Sequence, residues 1–324
     1  MKLTFEQIKD IAAGAVNIYG DADGIVHFDK CTQRQISAYD AFSADLGMRS
    51  RTTSGVRLDF HTNSKTLKFK TASGGKFELL INGLLRERLV PEEAQSFIER
   101  TVKLTDEIGG ECEDVRVTLV FPSHSIGTLE YVELDDGAYA KPHTYGKKIL
   151  FIGDSITQGW NSYFDTLSYA WRTTLHFNAN SLINGIGGAF FHVSTFDVPD
   201  FDPEIVILAY GTNDLGRYPD DEKMKEQVVG YLDLLKEAYG DKKVFVLSPI
   251  WRANNAGEVM GQRFDARRKM IENEATSRGF IAVDGLSLVP PLPQFFADTY
   301  LHPNDLGFGV FAENLIKVIE ENTK

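Results

Sequence analysis

Between about residues 50 and 135 the apolar and polar positions alternate with a period of two. Val56, Leu58 and Phe60 are separated by Arg57 and Asp59, Phe77, Leu79 and Ile81 follow, and Val115, Val117 and Leu119 enclose Arg116 and Thr118. Successive strand side chains point to opposite faces, so this pattern predicts strands with one face buried. Ser73-Gly74-Gly75 and Asn82-Gly83 punctuate them as turns, and Asn82-Gly83 supplies the positive φ angles of a tight hairpin. An antiparallel β-sandwich, jelly-roll-like, is the expectation for residues 1–143.

The period changes after Lys141-Pro142-His143-Thr144-Tyr145-Gly146, which reads as a short linker. Lys148 to Ile152, Glu204 to Tyr210, Val244 to Leu247 and Phe280 to Val283 are short apolar runs suited to strands buried on both faces. Helical spacing intervenes. Met224, Val228, Leu232 and Leu235 share one helix face, as do Phe308, Phe311, Leu315 and Val318 near the C-terminus. Strands alternating with helices predict an α/β domain over residues 144–324, with a parallel sheet covered on both sides. In such sheets functional residues gather at the carboxyl ends of the strands.

Composition narrows the function. At 324 residues the chain has room for two cores, and 43% hydrophobic with 25% charged residues is ordinary for a folded soluble protein. A net charge of -12 speaks against nucleic acid, which needs a concentrated basic surface, and against an anionic membrane surface. A neutral small molecule or an oligosaccharide is the favoured partner. The oligomeric state is left open. Cys31 and Cys112 lack metal-ligand spacing and are expected as free, buried thiols. The N-terminal stretch MKLTFEQIKDIAAGAVNIYG shows no continuous apolar run, so no signal peptide is expected and a cytoplasmic location is the simplest expectation.

The chemistry gathers in four short segments. The first strand of the α/β half runs straight into Gly153-Asp154-Ser155-Ile156-Thr157-Gln158-Gly159, placing the Ser155 hydroxyl at a strand's carboxyl end. Alone, such a turn would more often cap a helix than do chemistry. Asn184-Gly185-Ile186-Gly187-Gly188 follows a second strand and lets backbone approach a ligand closely. Gly211-Thr212-Asn213-Asp214 ends a third, and His302-Pro303-Asn304-Asp305 precedes the C-terminal helix. Taken together and in this order, G-D-S-I-T-Q-G, the Asn-Gly block, G-T-N-D and H-P-N-D resemble the four blocks of the SGNH (GDSL-like) hydrolases, across about residues 147–322.

That resemblance implies a flavodoxin-like three-layer fold and a serine esterase. Ser155 would be the nucleophile and His302 its base, since an unassisted hydroxyl is a poor nucleophile at neutral pH. The oxyanion donors would be the Ser155 N–H, a second-block glycine N–H and the Asn213 side chain. The second block is one residue shorter than the common N-x-G-x-S-G form, so Gly188 is favoured with Gly187 as the alternative. The family acid usually stands three residues before the histidine; here Thr299 holds that place and Asp298 lies four before. Either Asp298 completes a triad or a Ser-His dyad operates. Trp160 and Trp251 are each a sugar platform or core. Asp154 and Asp214 are anchors or caps, and the remaining histidines are ordinary surface or loop residues. A β-sandwich ahead of such a domain is similar to the arrangement in carbohydrate esterase family 2, implying deacetylation of sugars with no metal or organic cofactor. A lipid or thioester acylhydrolase and a non-catalytic carbohydrate-binding protein are the competing readings.

Overall fold

The computed structural model describes residues 1–93, 96–104, 113–255 and 257–323; Cys112 lies outside them. The chain divides into two compact units, one of Met1–Cys31 with Arg51–Tyr145 and the other of Thr32–Ser50 with Gly146–Lys324.

In the first unit, two antiparallel sheets carry the period-two segments. One sheet runs Ala12–Ala13, Arg57–Thr62, Val115–Val120, Phe77–Ile81, Leu84–Leu89, with Lys141–Pro142 also paired to Arg57–Thr62. The other runs Asn17–Gly20, Val26–Asp29, Thr128–Leu134, Thr66–Ala72, Phe97–Lys103. Val56, Leu58, Phe60, Phe69, Phe77, Val117, Phe121 and Leu129 form the core between them. The turn at Asn82 and Gly83 has φ of 52° and 82°, the left-handed pair a two-residue hairpin demands. The polar partners in the alternation are buried as well. Asp59 receives both Nε and Nη2 of Arg116 and the Tyr145 hydroxyl, while Arg57 stacks over the Tyr145 ring. Burial opposes the Asp59 charge, but the Arg116 bonds outweigh it and hold the carboxyl below its ordinary value. Cys31 is buried, and burial pushes its thiol pKa up to about 12.

The second unit is built on five parallel strands, β1 (Lys147–Gly153), β2 (Ala179–Gly185), β3 (Ile205–Ala209), β4 (Lys243–Leu247) and β5 (Ile281–Val283). Their spatial order is β2-β1-β3-β4-β5, the flavodoxin-like order with its switch point at β1. Side chains of β1 and β3 are buried on both faces, as their continuous apolar runs require. The helices pair: Tyr169–His176 packs on Asp305–Asn322, with the Tyr169 and Phe311 rings stacked at 4.1 Å, and Asp221–Tyr239 packs on Glu258–Ser277. Among the described residues no helix is long and apolar enough to cross a membrane.

One piece departs from the boundary at 143/144. Two helices, α1 (Gln33–Phe42) and α2 (Ala44–Ser50), group with the second unit although they precede it by about a hundred residues. Thr32 and Gln35 close a capping box at the start of α1. Gln35 Oε1 then also accepts Asn184 Nδ2 at 3.2 Å, and the hydroxyls of Tyr39 and Tyr210 lie 3.2 Å apart. Ile36, Tyr39 and Leu46 are buried. Burying Ile36 and Leu46 is worth about 1.5–3 kcal/mol each, enough to hold a short hairpin in place.

Candidate active site

Register decides where the blocks meet. Gly153, the last residue of β1, stands level with Gly185 of β2 and Ala209 of β3, so three of the sequence blocks leave the sheet at one edge. Gly185 is required there, because a Cβ would lie 2.4 Å from the Gln158 backbone nitrogen. Ser155 opens a single helical turn capped by Asp154, whose Oδ1 accepts the Ile156 N–H at 2.9 Å.

The fourth block arrives from the far end of the chain. Phe296 bridges to Pro303, Ala297 N–H donates to His302 O, and Asn304 caps the C-terminal helix by accepting the Gly307 N–H. His302 Nε2 then lies 2.9 Å from Ser155 Oγ. On the other side of the ring Nδ1 lies 2.8 Å from Asp298 Oδ2. The extra residue between acid and histidine is absorbed by Thr299 at φ 56°, a strained value for a β-branched side chain. That kink aims the Asp298 carboxylate back at its own loop, where Oδ1 accepts the N–H groups of Tyr300, Leu301 and His302. Burial opposes ionisation of Asp298, but these backbone bonds and His302 outweigh it, keeping its pKa below the ordinary carboxylate value. An ionised Asp298 accepts a hydrogen bond from Nδ1–H, which leaves Nε2 with its lone pair toward Ser155.

The second block has two glycines with different surroundings. Gly187 N–H is already donated to Gln158 Oε1 at 2.9 Å. Gly188 adopts φ 86°, a left-handed conformation that disfavours any side chain. Asn213 Nδ2 donates to Ala189 O at 2.9 Å and, more weakly, to Asp154 Oδ2 at 3.4 Å. Asp154 therefore both caps the Ser155 turn and steadies the Asn213 amide. Burial raises its pKa to about 7, and that of Asp214 to about 8. Asp214 accepts the Phe191 N–H through Oδ1.

The aromatic candidates separate. Trp160 is 38% exposed, with its ring centroid 6.3 Å from that of His302, whereas Trp251 packs on Phe296 at 4.9 Å. Of the other histidines, His27 meets Asp21, His176 meets Glu320, and His61 meets Asp114 and His143. Among the described residues no group of three His, Cys, Asp or Glu side chains is placed to hold a metal ion. Sequence reasoning missed Arg252, whose Nη1 donates to Thr212 O at 2.6 Å and Nη2 to the Tyr300 hydroxyl at 3.1 Å, tying the third block to the His302 loop. Its only signal was position just beyond β4, at the sheet's functional edge.

Known proteins share this fold. The GDSL-like lipase/acylhydrolase family model matches residues 151–310. No curated protein matches the chain in sequence. A salicylyl-acyltransferase from a tetracycline biosynthetic pathway is 19% identical with a TM-score of 0.78, over 96% of this chain and 94% of that one. A family two carbohydrate esterase from Cellvibrio japonicus is 15% identical with a TM-score of 0.66, over 99% and 97%. Another, from Clostridium thermocellum in complex with cellohexaose, is 18% identical with a TM-score of 0.61, over 83% and 93%. With its blocks gathered at one sheet edge, the region of residues 151–310 matches the GDSL-like lipase/acylhydrolase family, and the chain is a carboxylic ester hydrolase.

Proposed function

We propose that the chain is a serine esterase that removes small acyl groups, acetyl foremost, from carbohydrates through an acyl-enzyme on Ser155. One observation carries the reading: the chain of contacts Asp298 to His302 to Ser155, at 2.8 and 2.9 Å. Ser155 Oγ attacks the ester carbonyl as its proton passes to His302 Nε2. The oxyanion is met by the N–H groups of Ser155 and Gly188 and the amide of Asn213, which re-aims one N–H from its resting partners. Collapse breaks the bond to the sugar oxygen, and His302 returns its proton to that leaving group. Water, deprotonated by the same imidazole, then releases the acid and restores Ser155. Asp298 fixes the tautomer and stabilises the imidazolium.

The carbohydrate part is supported by the fold shared with family two carbohydrate esterases and by the exposed Trp160 ring beside His302, an apolar surface of the kind sugar rings stack on. A second reading, transfer of the acyl group to an alcohol rather than to water, is favoured by the likeness to the salicylyl-acyltransferase. Both use the same acyl-enzyme. Incubation with acetylated manno- and xylo-oligosaccharides, followed by NMR, gives free acetate if the first reading holds. Acetyl found on an added alcohol instead supports the second. Cleavage of 4-nitrophenyl palmitate in preference to the acetate would replace the sugar assignment with a lipid one. Ser155→Ala loses turnover and keeps sugar binding.

A further inference from the structure

We propose that Arg49, carried on α2, is a positioning residue that locks and polarises the peptide whose N–H serves as the Gly188 oxyanion donor. The inference rests on the esterase reading above and adds a residue from outside all four sequence blocks. Arg49 Nη1 donates to Gly187 O at 3.0 Å. Gly187 C=O and Gly188 N–H are the two ends of one peptide group. A cationic donor on the oxygen draws electron density through the amide and makes the N–H a stronger donor at the opposite end.

The lock matters as much as the polarisation. A peptide between two glycines turns over at little steric cost, and turning over would point a carbonyl oxygen where the donor is needed. Two grips prevent it here. Gln158 Oε1 holds the Gly187 N–H on the preceding peptide, and Arg49 holds the Gly187 carbonyl itself. The Arg49 side chain lies close over both glycines: a Cβ on Gly188 would stand 3.2 Å from Nη1, and one on Gly187 would stand 3.3 Å from Cδ. Asp45, one helical turn earlier, lies 3.7 Å from Nη2 and steadies the guanidinium. The hairpin α1–α2 thus delivers a cation to the carbonyl end of the peptide whose N–H is the proposed oxyanion donor.

The test uses the full chain with Arg49→Met, Arg49→Gln and Arg49→Lys, read with 4-nitrophenyl acetate and with an aryl boronic acid that forms a tetrahedral adduct on the serine. Arg49→Met lowers kcat about tenfold with KM changed less than about twofold, and weakens the boronic acid by a similar factor, as loss of part of one oxyanion donor requires. Arg49→Gln, which keeps a neutral donor for Gly187 O, loses about threefold, and Arg49→Lys recovers most of the rate. The Gln variant serves if Met prevents folding. Parental kcat and boronic acid affinity in Arg49→Gln, and in Arg49→Met where it folds, overturn the proposal while an inactive Ser155→Ala leaves the esterase reading standing. Turnover surviving in Ser155→Ala overturns the esterase reading itself.

Discussion

Each unit contains a histidine whose Nδ1 meets an aspartate. In the first unit His61 Nδ1 lies 2.8 Å from Asp114 Oδ2, and in the second His302 Nδ1 lies 2.8 Å from Asp298 Oδ2. The difference begins at the other ring nitrogen. His302 Nε2 faces a serine hydroxyl at 2.9 Å, whereas His61 Nε2 faces the imidazole of His143 at 3.0 Å. It continues in what holds the acid. The second oxygen of Asp114 takes the Tyr139 hydroxyl, and that bond leads in keeping its carboxyl below the ordinary range. Asp298 is held by three N–H groups of its own loop. Backbone donors cannot rotate away, so the second pair is preorganised in a way the first is not. A histidine and a carboxylate at hydrogen-bond distance are therefore not in themselves a site; the partner at the far nitrogen and the rigidity behind the acid make the difference.

The comparison breaks most sharply at the two histidines and their acids. His302→Ala is expected to lower kcat/KM by about 10⁴-fold or more in a 4-nitrophenyl acetate assay, since base and nucleophile act as a unit. Asp298→Asn follows with a loss of about 10²–10⁴-fold, because an amide oxygen or nitrogen beside Nδ1 cannot both fix the tautomer and stabilise the imidazolium. A loss under tenfold would mean that the loop alone orients the ring and a Ser-His dyad suffices.

A smaller effect concerns stability. Burial raises the carboxyls of Asp154 and Asp214 to about 7 and about 8, well above their unfolded value of 3.8. Between about pH 4 and 8 the folded chain keeps protons that the unfolded chain releases, so this contribution to stability is complete below about pH 4 and is lost as pH rises through 7 to 8. Asp214→Asn removes one of the two titrations. Its melting temperature relative to the parent is expected to climb by about 2–5 °C between pH 5 and 9. A constant difference across that range would show that the Asp214 proton is not taken up on folding. Least of all should come from His61→Ala, with kcat/KM unchanged within about twofold, since surface substitutions rarely propagate.

Much of the second unit was legible because its signals are local. An apolar run with glycine at its end marks a strand feeding a turn; three such junctions carry the blocks of Ser155, Gly188 and Asn213, and His302 is marked instead by its place ahead of the C-terminal helix. The spacing of Asp298 left two outcomes open, because what separates them is the backbone of Thr299, and a threonine in the left-handed region carries no sequence mark. The buried Arg57 and Asp59 were unreadable for a related reason. Alternation says which residues share a face, while the cover on the other face is supplied by Arg116 and Tyr145 from distant parts of the chain. Helix α2 and Arg49 were hidden most completely: short helices can be capped locally, but nothing in Ala44–Ser50 names the glycines it packs on.

The early place of α1 and α2 along the chain sets a timetable for biogenesis. When Thr32–Ser50 leaves the ribosome, Asn184, Gly187 and Tyr210 are still more than a hundred residues from being made. Synthesis at about 5–20 residues per second leaves that hairpin waiting many seconds for its docking surface. A gene fragment starting at Gly146 would encode every block of the proposed active site and still lack Arg49, Gln35 and Tyr39, so dissection of this enzyme at its linker would release a catalytic half missing one of its walls.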